Sequence, residues 1–124
     1  MGLKSNVYIG YYSEIMACHK VEIGNNTICG PYMFITDSNH EYRNPELPIS
    51  EQGAPLSEKN NSVVIGDDCW IGAHVTIAGS VIIGKHCVIG ANSFVNSNIP
   101  DYCVAVGTPA KVKKVFDKET QKWK

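Results

Sequence analysis

The stretch SVVIGDDCWIGAHVTIAGSVIIGKHCVIGANSFVNSNI (residues 62–99) repeats a pattern of six residues. A branched aliphatic residue returns at every sixth position, and a residue that can be buried stands four positions after it. The aliphatic positions are Ile65, Ile71, Ile77, Ile83, Ile89 and Val95, and the fourth positions are Cys69, Val75, Val81, Cys87, Ser93 and Ile99. This period fits neither a helix of 3.6 residues per turn nor an alternating strand. It predicts an all-β fold, a parallel β-helix in which three hexapeptides form each three-sided coil.

The same period appears in the first third of the chain, with one longer step of eight residues between Ile15 and Ile23. Between Ile35 and Ile65 the pattern is lost in a segment that is rich in Pro, Gly and Asn, which indicates a loop. The C-terminal residues look amphipathic and are predicted to cap the open end of the coils as a short helix, since an uncovered end leaves strand edges unpaired. The interpretation is a single domain with first coils in 1–40, a loop in 41–62, main coils in 63–109 and a helical cap in 110–124.

Composition bounds the possible functions. The chain has 124 residues, of which 44% are hydrophobic and 19% charged, as in an ordinary single globular domain. No apolar run approaches the ~20 residues of a membrane-spanning helix, and the N-terminus does not resemble a secretory signal. Five cysteines without a CxxC pair argue against a disulfide framework. We therefore expect a cytoplasmic protein, in a reducing compartment, without membrane insertion.

The charge is unevenly distributed. Residues 1–110 carry five basic and ten acidic side chains, whereas residues 111–124 carry six lysines and two acidic residues. A lysine-rich end is either a solvated face or a docking site for a phosphorylated ligand, and the sequence leaves both open. The chain lacks the long basic surface of a nucleic-acid-binding protein.

The four histidines differ in their place in the repeat. His74 and His86 stand at corners, where the chain turns toward solvent, and the spacing puts them on different corners. His19 lies in the irregular corner and reads as a surface residue. His40 ends one side of a coil and opens the loop, so that its side chain is fixed at one end and accessible at the other. By position alone, His40 is either a structural residue or a catalytic base.

Three segments carry a resemblance to a known family. They are ITDSNH (residues 35–40), DCWIGAH (residues 68–74) and VGTPAKV (residues 106–112). Together with the repeats they resemble the left-handed β-helix acetyltransferases, and within them the sugar and polysaccharide O-acetyltransferases of the maltose, galactoside and lipopolysaccharide type. The resemblance implies a left-handed coil, acetyl-CoA as co-substrate, a carbohydrate or other small-molecule acceptor, and a homotrimer that binds coenzyme A between neighbouring subunits.

The resemblance also implies roles for individual residues. His40 would be the general base, and the backbone N–H of Ala73 would stabilise the oxyanion. The residues implied in coenzyme binding are Ala73, Ala91, Ser97, Asn98, Lys111 and Lys114. The residues implied on the acceptor side are Tyr8, Gly10 and Asn39. No metal is expected. Relatives commonly have Thr-Lys in place of Ser97-Asn98, and an Asn in place of Gly10.

Two other functions stay open at the level of sequence. A non-catalytic hexapeptide scaffold or binding module is compatible with Gly10 and with an expected lack of the N-terminal segment found in such relatives. A metalloenzyme like the γ-type carbonic anhydrases would need three histidines that converge on zinc.

Overall fold

The computed structural model describes residues 1–55 and 60–124, which form a stack of short strands. The strands of the first two coils are β1 (Gly2–Leu3), β2 (Tyr8–Ile9), β3 (Glu14–Met16), β4 (Lys20–Ile23), β5 (Ile28–Cys29) and β6 (Phe34–Thr36). Those of the next two are β7 (Ser62–Ile65), β8 (Trp70–Ile71), β9 (Thr76–Ala78), β10 (Val81–Ile83), β11 (Val88–Ile89) and β12 (Phe94–Val95). The chain ends with β13 (Cys103–Gly107), β14 (Ala110–Asp117) and β15 (Lys122–Trp123).

Each full coil contributes one strand to each of three sheets, which form the sides of a prism. Sheet A has the order β1-β4-β7-β10, sheet C has the order β12-β9-β6-β3, and sheet B begins β2-β5-β8-β11-β13 and continues into β14 and β15. Successive coils pair in parallel, as in Cys29 opposite Ile71 and Ile71 opposite Ile89. The predicted all-β, left-handed parallel β-helix is therefore confirmed.

The core is the interior of this prism. The aliphatic columns that the repeat predicts are buried, among them Ile65, Ile71, Ile77, Ile83 and Ile89, each at 1% exposure or less. Four of the five cysteines are also buried, and all five are free thiols. Burial raises the pKa of Cys29 to about 12, so this thiol is a packing group rather than a nucleophile.

Close contact between coils depends on glycine at one edge of sheet B. A Cβ on Gly72 would lie 2.6 Å from Ala91 N and 2.9 Å from the Ile89 carbonyl oxygen. The glycine N–H itself donates to that carbonyl at 2.8 Å. A side chain at position 72 would therefore push the two coils apart, beyond the distance at which their backbones form hydrogen bonds.

At other corners the chain turns in a different way, because non-glycine residues adopt left-handed backbone angles near φ +59°. Asn6, Asn26, Asp68, His86 and Tyr102 form one such column, and Tyr12, Tyr32, His74 and Asn92 form another. In the first column the side chains connect successive coils: the Asn6 amide donates to Asn26, and the Asn26 amide donates to Asp68. These contacts between coils offset the strain of the left-handed conformation.

The predicted C-terminal helix is wrong. Residues Ala110–Asp117 form β14, which pairs antiparallel with β13, and β15 then pairs antiparallel with β14. The segment still covers the end of the coils, as predicted, but it does so by giving β13 a hydrogen-bonded neighbour. A helix would have left the outer edge of β13 without backbone partners.

A β-bulge explains why this segment looked helical. The register of β13 and β14 shifts between Val104 and Ala105, so that Val112 lies opposite Ala105 while Val115 lies opposite Cys103. One extra residue in β14 thus converts the two-residue period of a strand into a spacing of three, which resembles one turn of a helix. Rings of Tyr102, Phe116 and Trp123, with centroids 5.4–6.3 Å apart, pack this hairpin against the last corner.

The predicted loop 41–62 includes residues 56–59, which lie outside the described residues. In its described part, Glu41 N–H donates to the Gly53 carbonyl at 2.7 Å, and this contact forms the neck of the loop. The Gln52 side-chain amide donates to the carbonyls of Asn44 and Leu47. A single 3₁₀ turn, Ile49–Glu51, is the helical element within residues 1–55 and 60–124, and no described helix is long and apolar enough to cross a membrane.

Replacing Gly72 with alanine is expected to lower the free energy of unfolding by about 1–3 kcal/mol, the usual effect of overpacking. The added Cβ meets backbone atoms, which cannot rotate away. The matched control is Gly2→Ala, whose Cβ would meet only the Glu22 side chain at 3.6 Å. Urea unfolding of both variants is the measurement, and equal stability of the two would contradict this account of the glycine column.

Candidate active site

A groove of about 430 Å³ runs along one edge of sheet B, across three successive coils. Its floor consists of three dipeptides at equivalent corners, Gly30-Pro31, Gly72-Ala73 and Gly90-Ala91, and its wall consists of Trp70, Val88 and Ile89. The small floor residues let a ligand approach the backbone closely, and the wall is apolar. Such a surface suits a long, narrow and mostly apolar ligand arm.

The glycines on the floor let the main chains of neighbouring coils approach closely. A Cβ on Gly30 would lie 2.7 Å from Ala73 N, and one on Gly72 would lie 2.6 Å from Ala91 N. Among the described residues, no backbone hydrogen bond outside the regular strands uses the N–H of Ala73 or of Ala91. Ala73 and Ala91 both line the groove, so their N–H groups are candidate donors to an oxyanion or an amide carbonyl of a ligand.

The lysine-rich hairpin lies beyond one end of this groove. Val88 pairs with Val104, and Val104 in turn lies opposite Lys114. Lys111 lies opposite Val106, whose side chain packs over Gly90 of the groove floor. Both lysines are exposed. Lys111 and Lys114 are thus both on β14, in the sheet that forms the groove and two strands beyond β11.

The predicted acceptor residues of the first coil lie at the other end of the same sheet. Tyr8 pairs with Ile28, which pairs with Trp70 of the groove wall, and all three side chains are about half exposed. Gly10 is buried, and a Cβ there would lie 2.6 Å from Pro31 N. Gly10 can therefore present only its main chain, and the tight packing explains why it carries no side chain.

The remaining predicted residues lie on a different edge of the prism. His40 and Asn39 follow β6 of sheet C, and Ser97 and Asn98 follow β12 of the same sheet. None of the four lines the groove. The Asn98 side-chain oxygen accepts from Ile82 N–H at 2.8 Å, so it stabilises a corner of its own coil. Within one chain, the structure thus divides the predicted site into two sets of residues.

His40 is exposed at the neck of the loop. Its Nδ1 lies 3.1 Å from the Glu41 carbonyl oxygen, so a proton on Nδ1 makes a hydrogen bond and leaves Nε2 with a free lone pair. The neighbouring carboxylate does not orient the ring, because Glu41 accepts two hydrogen bonds from the Arg43 guanidinium. This contact with Arg43 lowers the pKa of Glu41 to about 2.

Asp37 is a buried carboxylate three residues before His40, and it accepts three backbone hydrogen bonds. The donors are the N–H groups of Cys18, His19 and Lys20, at 2.7–2.8 Å. Burial on its own raises the pKa of Asp37, but these donors and the nearby His19 outweigh it, so the pKa lies below its ordinary value. The Asp37 carboxylate therefore faces the corner of the preceding coil.

Sequence reasoning missed the ring stack beside the groove. Tyr12, Tyr32 and His74 occupy equivalent corner positions, and their rings stack with centroids 5.3 and 4.8 Å apart. The sequence does contain a signal for this stack, since each of the three residues stands three positions after an inward-facing residue of sheet B. His74 was correctly predicted to be exposed and to lie on a different corner from His86, which stacks on Tyr102.

Among residues 1–55 and 60–124, no group of three or more His, Cys, Asp or Glu side chains could hold a metal ion.

Comparison with known proteins identifies the repeat. Residues 62–97 match the family described as "Bacterial transferase hexapeptide (six repeats)". These residues therefore carry the hexapeptide repeat of that family.

Similar hexapeptide-repeat proteins carry acetyltransferase names. The chain is 37% identical, over 95% of its length, to a protein of Escherichia coli (strain K12) named as a lipopolysaccharide biosynthesis O-acetyl transferase, WbbJ. It is 34% identical, over 89% of its length, to the galactoside O-acetyltransferase of Lactococcus lactis. The solved structure of the polySia-specific acetyltransferase NeuO superposes on 92% of the chain with a TM-score of 0.74 and 25% identity. The chain spans 62%, 50% and 47% of these three proteins, respectively.

For this hexapeptide-repeat chain, we expect Asp37→Asn to lower stability by about 2 kcal/mol at neutral pH, because hydrogen bonds to charged groups contribute about 1.5–3 kcal/mol. The pKa of Asp37 is lowered in the folded state, so its contribution is present above the unfolded value of about 3.9. It is lost as the pH falls from that value through the folded pKa. The difference in unfolding free energy between wild type and variant should therefore shrink below about pH 4. Urea unfolding from pH 7 to pH 3 measures it, and a difference that stays constant would contradict the assignment.

Proposed function

We propose that this chain is the catalytic part of an acetyl-CoA-dependent O-acetyltransferase that acts on a hydroxyl group of a carbohydrate. The observation that supports the proposal most strongly is the groove on sheet B, with its apolar wall and with Ala73 and Ala91 among its lining residues. The acetyltransferase names of the relatives agree with it.

The groove has the chemistry that acetyl-CoA requires. The pantetheine arm is narrow and carries amide groups, which suits the floor at Ala73 and Ala91. The phosphates at the far end of the coenzyme would bind Lys111 and Lys114, because ammonium groups bind phosphate as point charges. Ser97 and Asn98 lie on another edge of the chain, so they would contact coenzyme A only from a neighbouring subunit.

A complete site would form between two copies of the chain. His40 and Asn39 lie on one edge of the prism, while the groove and Tyr8 lie on another. A homotrimer would place the first edge of one copy beside the groove of the next. The loop tip supports this arrangement, because Tyr42, Leu47 and Ile49 are exposed apolar side chains with 66%, 46% and 55% exposure. Sedimentation equilibrium tests the trimer.

In the proposed mechanism, His40 Nε2 takes the proton of the acceptor hydroxyl while the oxygen attacks the thioester carbon. The Ala73 N–H donates to the oxyanion that forms. The carbon–sulfur bond then breaks, and the imidazolium returns its proton to the thiolate, which gives an O-acetyl ester and coenzyme A. The contact between Nδ1 and the Glu41 carbonyl selects the tautomer that this step needs.

The proposed acceptor is a sugar hydroxyl, at the end of the groove near Tyr8. The relatives named for lipopolysaccharide, galactoside and polysialic acid modification all act on carbohydrate by their names. Gly10 lacks a side chain that could orient the sugar, so Tyr8 and the neighbouring copy's Asn39 would have to do so.

A cytoplasmic location is part of the proposal. The five cysteines are free, and Cys18 is exposed, which fits a reducing compartment.

Replacing His40 with alanine is expected to lower kcat by about 10²–10⁴-fold, the usual contribution of general base catalysis. The KM for acetyl-CoA should stay close to the wild-type value, because the groove residues and lysines proposed to bind the coenzyme are unchanged. The measurement is release of free thiol from acetyl-CoA in the presence of a panel of sugars. The matched control is His86→Asn, which removes an exposed histidine at another corner while asparagine tolerates the left-handed backbone there. Equal rates for the two variants would refute the role of His40.

Replacing Lys111 and Lys114 together with alanine is expected to weaken acetyl-CoA binding about tenfold, which corresponds to about 1.4 kcal/mol. Binding of S-acetylpantetheine, which has no phosphate, should be unchanged. The control is Lys122→Ala, which removes one positive charge from β15 of the same hairpin. Thermal shift measures this, since a ligand at 100 times its Kd stabilises a protein by about 2.7 kcal/mol. If acetyl-CoA gives no shift with the wild-type chain, the scaffold function is favoured instead.

A further inference from the structure

The corner between β3 and β4 is longer than its counterpart two coils later. Val21 and Val81 both align with Val63, and β3 and β9 both pair with β6. The chain passes from Met16 to Val21 in the early corner but from Ala78 to Val81 in the later one. The early corner therefore contains two extra residues, which is the eight-residue step seen in the sequence.

The extra residues bring three successive backbone N–H groups to one point. Cys18, His19 and Lys20 all donate to the carboxylate of Asp37, which is fully buried. Asp37 follows β6 at the position that Gly79 occupies in the next coil, where there is no side chain. The long corner and the buried carboxylate thus form one unit, which occurs where the chain leaves the coil toward His40.

The segment after Asp37 is also held at Ser38 and at Glu41. Ser38 N–H donates to Thr36 Oγ1 at 3.1 Å, and the Asn39 amide lies 3.7 Å from the place of a Cβ on Gly79. Glu41 N–H then donates to Gly53 at the loop neck. His40 is exposed, so few contacts hold its ring directly. The position of the ring therefore depends on where the segment after Asp37 leaves the coil.

We propose that Asp37 is a positioning residue for His40: by binding the long corner of the preceding coil, it sets the point from which the His40 segment leaves the β-helix. The proposal rests on the proposed function, because it assigns Asp37 a part in the same reaction. Asp37 does not contact the reacting atoms, and its effect on the rate passes through the place of the imidazole.

The test compares Asp37→Asn with Asp67→Asn. Asp67 is the matched control, since its carboxylate also accepts a backbone N–H from another coil, that of Asn25 at 2.7 Å, but at a corner far along the chain from His40. Asparagine at position 37 places an amide group against N–H donors and should displace the segment. A displacement of about 1 Å can lower a rate about 10²-fold. We expect kcat to fall tenfold to a hundredfold for Asp37→Asn, with the KM for acetyl-CoA unchanged, and no change in kcat for Asp67→Asn.

A second readout does not depend on activity. The imidazole signals of His40 in the NMR spectrum, identified by their loss in His40→Gln, should shift in Asp37→Asn and not in Asp67→Asn. If kcat and these signals match the wild type, or if Asp67→Asn changes them equally, the positioning role is refuted. If the wild-type chain transfers no acetyl group but the signals shift as expected, the positioning of His40 stands and the acetyltransferase function fails.

Asp37→Ser provides the second variant if Asp37→Asn does not fold. Its small side chain leaves space for a water molecule to accept the N–H groups that lose the carboxylate. The same loss of kcat and the same shift of the His40 signals are expected from it, and wild-type values of both would refute the proposal.

Discussion

The stacking of one coil on the next at the distance of a β-ladder, about 4.8 Å, is the constraint on which the rest of this molecule depends. Every corner must turn the chain while keeping its backbone at hydrogen-bonding distance from the coil below. Gly72 meets this demand by having no side chain, and the corner residues near φ +59° meet it by adopting left-handed angles. The interior is then filled by aliphatic columns with no room for a ligand. Binding surfaces can form only outside the prism.

The same constraint explains where the candidate chemistry lies. Regular sides of the prism offer flat sheet surfaces, whereas the floor glycines form a groove along one edge. Departures from the repeat supply what the regular coils cannot. The loop brings out His40, the long corner binds Asp37, and the terminal hairpin adds Lys111 and Lys114 beyond the groove. The proposed base, its proposed positioning residue and the proposed phosphate-binding lysines therefore all lie at irregular positions of this chain.

Local sequence patterns gave a wrong prediction where a tertiary contact changed the spacing of buried residues along the chain. Val112 and Val115 stand three apart, as on a helix, because one bulged residue separates them in a strand. This segment forms a strand because β13 offers a free edge to pair with. The sequence of the segment itself does not show that edge. Asp37 is a similar case, since its three donors come from a corner seventeen to nineteen residues away in sequence.

The sequence by itself determined the coils, because a period of six leaves no other regular way to bury one aliphatic residue per repeat. It also determined the exposure of His74 and His86 at separate corners and the burial of the core cysteines. The tertiary structure alone decided that Ala73 and Ala91 share one groove while His40 lies on another edge. The physical reason is that groove walls, strand edges and buried carboxylate partners are contacts between coils, and a hexapeptide repeat specifies the coil but not the side chains that meet across coils.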